Sequence, residues 1–307
     1  MKSTTFSQIV DGYLLAANAR RLSDHTIRDY VTTFKKFNRF LDDDPPFESI
    51  TVQQVENFLA HQNVSKKTIL NYHIGLSALW TWAIKEELAN EHIIRRITRV
   101  KPERKAIKPY TEDDIRTMLN VINQTNVYSR PGKRDSFHRL PHADRNRAII
   151  YILLDTGVRV SELINLNLHE VDLRNRRMYV MGKGSKERTI PFSPKTGQVI
   201  WKYLTSRKDA SLGEYLFTNN EGGELTRSRV LRILRTIGQR AGVRKVTVHR
   251  FRHTFAINYL RNGGDAYSLQ MILGHSTMEM VKNYLALAQA DLDKNHKLAS
   301  PVDNWRL

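Results

Sequence analysis

Residues 177–192 read RMYVMGKGSKERTIPF. The runs RMYVM (177–181) and ERTIPF (187–192) are rich in strand-forming residues, and the GKGSK joining them supplies glycines for a turn, so the stretch predicts a β-hairpin. Around it the chain reads as helix. Upstream, RNRAIIYILLDTG (145–157) is an apolar run suited to a buried helix that ends at Gly157. Downstream, 226–241, 247–262, 265–274 and 277–290 keep helical periodicity. The polar, basic stretch 123–144 predicts a loop. A hairpin set among helices makes this an α+β domain, and the whole chain mainly α with a small β-sheet.

The first hundred residues carry only helix signals. Phe6, Ile9, Val10, Tyr13, Leu14 and Ala17 recur at helical spacing, while Ser23, Thr51 and Ser65 are placed to start three further helices. Pro45 and Pro46 stop the second. Four main helices thus build an N-terminal domain over 1–94. The segment 95–109 then crowds Arg95, Arg96, Arg99, Lys101, Arg104 and Lys105 around a single acid, Glu103, with prolines at 102 and 109. That composition suits an extended linker able to lie along phosphates, or a solvated hinge with no partner. Thr111 with Asp114 resembles a capping box and opens a second domain, 110–307.

Composition narrows the partner. Forty-nine Lys+Arg against 31 Asp+Glu give a net charge of +18, most of it in the C-terminal part, and a soluble protein this basic usually meets nucleic acid. The absence of cysteine excludes disulfides, thiolate zinc sites and a cysteine nucleophile. No run is apolar enough for a membrane span and MKSTTFSQIV lacks a signal-peptide core, so a cytoplasmic location with no membrane partner is expected.

Chemistry concentrates in four places. VHRFRH (248–253) puts His249 and Arg252 on one helix face. His249 and His253 also have the spacing of the zinc motif HExxH, but Arg250 stands where its glutamate would be and the arginines would repel a dication, so no metal is expected. In LLDTGVRVSELINL (153–166), Arg159 follows the helix-breaking Gly157, with Ser161 as a capping-like residue. Lying between two apolar runs, it needs an anionic partner, either Glu162 or a phosphate. Lys183 sits in the hairpin turn between glycines, and GHSTMEMVKNYL (274–285) places His275 ahead of Tyr284. Singly, each has a plainer reading: a turn lysine is surface and a helix tyrosine is packing. Together, two arginines, a lysine and two histidines describe a pocket for a phosphodiester and its pentavalent transition state. A tyrosine nucleophile would keep the energy of the broken bond in a phosphotyrosine, so religation would need no ATP; no Walker A sequence is present, and no cofactor is expected.

TGVRVSEL, GKGSKER, HRFRH and LGHS…NYL, in this order, resemble the catalytic boxes of the tyrosine recombinases, the family of Xer-type and phage-type integrases. The resemblance spans nearly the whole chain. It implies a helical core-binding, DNA-clamping domain (1–94), a linker (95–109) and a catalytic domain with a C-terminal tail (110–307). Carried over, Arg159 and Arg252 hold the scissile phosphate, Lys183 is general acid toward the 5′-oxygen, and His249 is general base or phosphate ligand. His275 steadies the phosphate and Tyr284 forms the 3′-phosphotyrosine. The implied activity is metal-independent site-specific recombination of double-stranded DNA, in integration, excision or chromosome or plasmid dimer resolution. The implied assembly is a homo-oligomer on DNA, a tetrameric synapse of two dimers, with room for a second recombinase or accessory factor. Residues 123–144 are longer than the usual Xer-type connection, and Asn283 and Leu285 flank the tyrosine where those enzymes often show another dipeptide. Two rivals stay open at this point: a type IB topoisomerase relaxing DNA as a monomer, and a DNA-binding protein without catalysis.

Overall fold

The computed structural model describes residues 4–103, 108–123, 142–182, 187–207, 214–219, 221–288, 296 and 300–305. The chain divides into two units, Met1–Lys105 and Ala106–Leu307.

In the first unit α1 (Phe6–Ala19), α2 (Asp24–Leu41), α3 (Val52–Ala60) and α4 (Lys66–Lys85) each begin at a hydroxyl. Thr5, Ser23, Thr51 and Ser65 accept a backbone N–H from the first turn, and Gln8 and Gln54 complete capping boxes with the two threonines. Aromatic rings fill the core: Phe37 meets Phe6 and Phe58 edge-on, and Phe47 lies on Trp80. The stretch expected as a linker is structured at both ends. Ile93–Arg96 form a 3-10 turn against α3 and α4, because the isoleucines at 93, 94 and 97 give the basic run an apolar side that is buried. At the other end Arg250 donates to the carbonyls of Lys108 and Pro109 and lies over the Tyr110 ring, 4.0 Å from its centroid. Arg104 and Lys105 lie outside the described residues.

The second unit surrounds a small antiparallel sheet. Strands β1 (Val171–Asp172), β2 (Arg177–Met181) and β3 (Glu187–Pro191) lie in that order, with Met181 opposite Glu187 and Arg177 opposite Pro191. The expected hairpin forms, and Met178, Val180 and Ile190 turn one face to the core. Its turn residues 183–186, Lys183 among them, lie outside the described residues. Helices α5 (Glu112–Asn120), α6 (Ala143–Thr156) and α7 (Val160–Asn165) precede the sheet. Helices α8 (Pro194–Thr205), α9 (Arg227–Arg240), α10 (Val248–Arg261), α11 (Ala266–Leu273) and α12 (Glu279–Ala288) follow it. Helix α6 packs on α8 and α10, and α10 in turn on α11 and α12. Of the expected 123–144 loop, 124–141 lie outside the described residues, and Ala143 and Asp144 already belong to α6. In the tail, Pro301–Asn304 make one helical turn behind the buried Ser300. Among the described residues no helix is long and apolar enough to cross a membrane.

Candidate active site

Helix α6 stops at Gly157, whose φ of +61° suits glycine, and an added Cβ would lie 2.5 Å from Phe255 and 2.8 Å from Leu273. The turn delivers Arg159 in extended conformation as the N-cap of α7. Ser161 is not the cap; the helix starts earlier and Glu162 reaches back, accepting from the Arg159 backbone N–H at 2.8 Å and from Arg159 Nη1 at 2.8 Å. Helix α10 contributes Arg252, buried, which donates from Nη1 to the Gly157 carbonyl at 2.8 Å and from Nη2 to the Leu273 carbonyl at 2.7 Å. Arg159 Nη2 donates to the Gly274 carbonyl at 3.0 Å. A third arginine, Arg188 on β3, donates from Nε to the Ile272 carbonyl at 2.8 Å and grips both Glu162 oxygens, at 2.8 and 2.9 Å. Three successive carbonyls at the end of α11 thus hold three guanidiniums from three other elements. They are the unpaired acceptors and the negative pole of that helix.

The charges do not balance. Burial pushes the Glu162 carboxyl up, but hydrogen bonds from Arg188 and from the Arg159 backbone outweigh it and hold Glu162 below the usual carboxylate range. Among the described residues one carboxylate therefore faces three guanidiniums, and Arg252 hydrogen-bonds only main-chain oxygens. Its burial, with the Arg159 charge beside it, drops the Arg252 pKa to about 10. His275, buried and facing Arg252, Arg159 and Arg188, falls to about 4 and is neutral at physiological pH. Among the described residues its Nδ1 is enclosed with no hydrogen-bond partner, while its backbone N–H is fixed by the Gln270 carbonyl.

Tyr284 comes from α12. It is 7% exposed, and burial raises its phenol pKa while Arg252 pulls it back. The His275 ring is nearly parallel to it with centroids 6.2 Å apart, and the His253 ring is tilted against it at 5.2 Å. His249, exposed at the start of α10, opens with Arg159 and Arg252 onto a cavity of about 470 Å³. Arg227 and Ser228, at the start of α9, line the same cavity.

Arg159, His249, Arg252, His275 and Tyr284 are therefore brought together from α7, α10, the α11–α12 turn and α12. Sequence reading missed Arg188, treated Glu162 as a plain pairing alternative, and weighed His253 only as a metal ligand. The ERTIPF run marked Arg188 as a strand residue, with nothing to show which way it turned.

The profile of the phage integrase family matches residues 97–291, and that of the phage integrase N-terminal SAM-like domain matches residues 9–90. Tyrosine recombinase XerC of Staphylococcus epidermidis is 29% identical over 291 residues, covering 92% of this chain and 93% of its own. Tyrosine recombinase XerD of Oceanobacillus iheyensis is 27% identical over 294 residues, covering 92% and 94%. In fold the chain is similar to the XerH site-specific recombinase bound to its palindromic difH substrate in a post-cleavage complex, with a TM-score of 0.71, 21% identity and coverage of 95% and 84%. The chain belongs to the phage integrase family, the tyrosine recombinases, enzymes that cleave and rejoin DNA.

Proposed function

We propose that this enzyme recombines double-stranded DNA at specific sites through a covalent 3′-phosphotyrosine on Tyr284, in integration, excision or dimer resolution. Arg252 carries the reading. A buried guanidinium that hydrogen-bonds no carboxylate among the described residues, beside a second arginine and next to a tyrosine, leaves a hole for an anion that a phosphodiester fills. The surplus of positive charge grows in value as the phosphate passes to its more highly charged pentavalent state.

Tyr284 Oη attacks phosphorus, the bond to the 5′-oxygen breaks, and the strand is left with a free 5′-hydroxyl. His249 takes the phenol proton that burial keeps in place, and Lys183 supplies the proton to the departing 5′-oxygen. Arg159 and Arg252 hold the nonbridging oxygens, and neutral His275 hydrogen-bonds the phosphate. The 5′-hydroxyl of a partner strand then attacks the phosphotyrosine and releases Tyr284, so the bond energy is retained. Residues 1–94 act as the core-binding domain, 95–109 as a phosphate-contacting connection and 110–307 as the catalytic domain. Copies of the chain assemble on the DNA, in the cytoplasm where that DNA lies.

The test is a nicked suicide duplex built on a site the protein protects from nuclease, incubated in EDTA and run on a denaturing gel. Wild type gives a covalent protein–DNA band; Tyr284→Phe binds with unchanged affinity and gives none. A band from Tyr284→Phe, or none from wild type on any protected site, would sink the assignment.

A further inference from the structure

We propose that Arg188 is a positioning residue for DNA cleavage, holding Glu162 and the end of α11 so that Arg159 meets the phosphate in one orientation. This rests on reading Arg159 as a phosphate ligand. Arg188 does not itself serve DNA: its side chain is 13% exposed and each guanidinium nitrogen already donates, to Ile272 or to Glu162. What it does is join elements distant in sequence. From β3 it reaches α7 through Glu162 and α11 through the Ile272 carbonyl, and those elements supply the partners of Arg159.

Two features show a site built around this side chain. Gly274 sits at φ +61°, and a Cβ there would lie 3.0 Å from Arg188 Cζ and Nη1, so glycine at this position leaves room for the guanidinium. Arg188 also takes over the larger part of neutralising Glu162. It binds the carboxylate at both oxygens, whereas the Arg159 side chain binds it at one. If Arg159 alone had to compensate that buried carboxylate, its charge would be committed to the protein. With Arg188 present, Glu162 orients Arg159 and leaves its charge for substrate. The depressed Glu162 pKa, in which Arg188 is the largest lowering influence, agrees with this division.

The experiment uses the full chain and the nicked duplex, and reads DNA affinity separately from the covalent-complex rate at saturating protein, across pH. Arg188→Met is expected to bind within about threefold of wild type while its rate falls about 100-fold, the scale of a misplaced catalytic group. Its acid limb moves to higher pH, because Glu162 without Arg188 protonates more readily; a packing defect alone would not shift that limb. Arg188→Lys, which keeps one charge, recovers part of the rate and returns the limb toward wild type. Arg188→Met cleaving at the wild-type rate, or slowing with an unmoved acid limb, overturns the proposal. If Arg188→Met does not fold, by circular dichroism, Arg188→Lys decides: a wild-type pH profile overturns the proposal and a shifted one supports it. Arg159→Lys separates the two readings. If that variant keeps wild-type cleavage, the role of Arg159 falls and the proposal with it; if it loses cleavage while Arg188→Met does not, the proposal alone falls.

Discussion

At Arg252 a guanidinium is buried with another cation beside it and, among the described residues, only main-chain carbonyls to bond. Arginine tolerates this because its free pKa is so high that a fall to about 10 leaves it fully charged at neutral pH. Lysine has less to spare. In Arg252→Lys, burial and the Arg159 charge would bring the ammonium pKa toward neutrality, and one nitrogen cannot hold both the Gly157 and Leu273 carbonyls. The covalent-complex rate should drop about 100-fold near pH 8, the scale of losing one transition-state donor. A buried base gains its proton as pH falls, so the ratio of variant to wild-type rate should climb between about pH 9 and about pH 6. Gel assays across that range check it; a ratio independent of pH would show that the lysine stays charged.

Among the elements, the α6–α7 turn and the end of α11 set the cationic cradle. Gly157 serves it twice, by its left-handed turn and by a carbonyl that accepts from Arg252. Gly157→Ala forces a Cβ into Phe255 and Leu273 in a conformation alanine avoids. It should destabilise the protein by about 2–4 kcal/mol, the range for strained backbone added to overpacking. A lowered urea midpoint in the catalytic unit's transition checks it, and an unchanged midpoint would mean that α10 and α11 yield freely. These elements were largely legible beforehand. The helix containing Val248–Arg261, the strands either side of GKGSK and the stop at Gly157 follow from period and turn chemistry, which are local. The residue types at Arg159, Arg252 and Tyr284 were legible too. The carbonyl turn that organises them was not, because main-chain oxygens have no signature in sequence and Arg159 finds Gly274 across 115 positions. Helix α8 went unassigned for a different reason: Pro194 behind Ser193 is a sound start, but Gly197 and the exposed Trp201 blur its apolar side. A hydroxyl near a helix start usually caps it, but here Arg159 holds the cap position and Glu162, inside the first turn, accepts its backbone N–H.

For the molecule as a whole, a net charge of +18 governs how it meets DNA. Raising salt from about 50 to about 200 mM should weaken binding by at least about a thousandfold through counterion release. In the 95–109 stretch, Arg96 already pairs with Glu91 at 3.1 Å, while among the described residues the side chains of Arg95, Arg99 and Lys101 make no hydrogen bond or ion pair. Replacing those three by glutamine should reduce the slope of log affinity against log salt by about 2–3, and an unchanged slope would show that they do not reach phosphates. Where that stretch ends has a mechanical consequence. Arg250 grips Lys108, Pro109 and Tyr110 while standing between His249 and Arg252 on α10. Tension applied at Lys108 is therefore handed straight to α10, and it pulls on the shaft that bears His249 and Arg252.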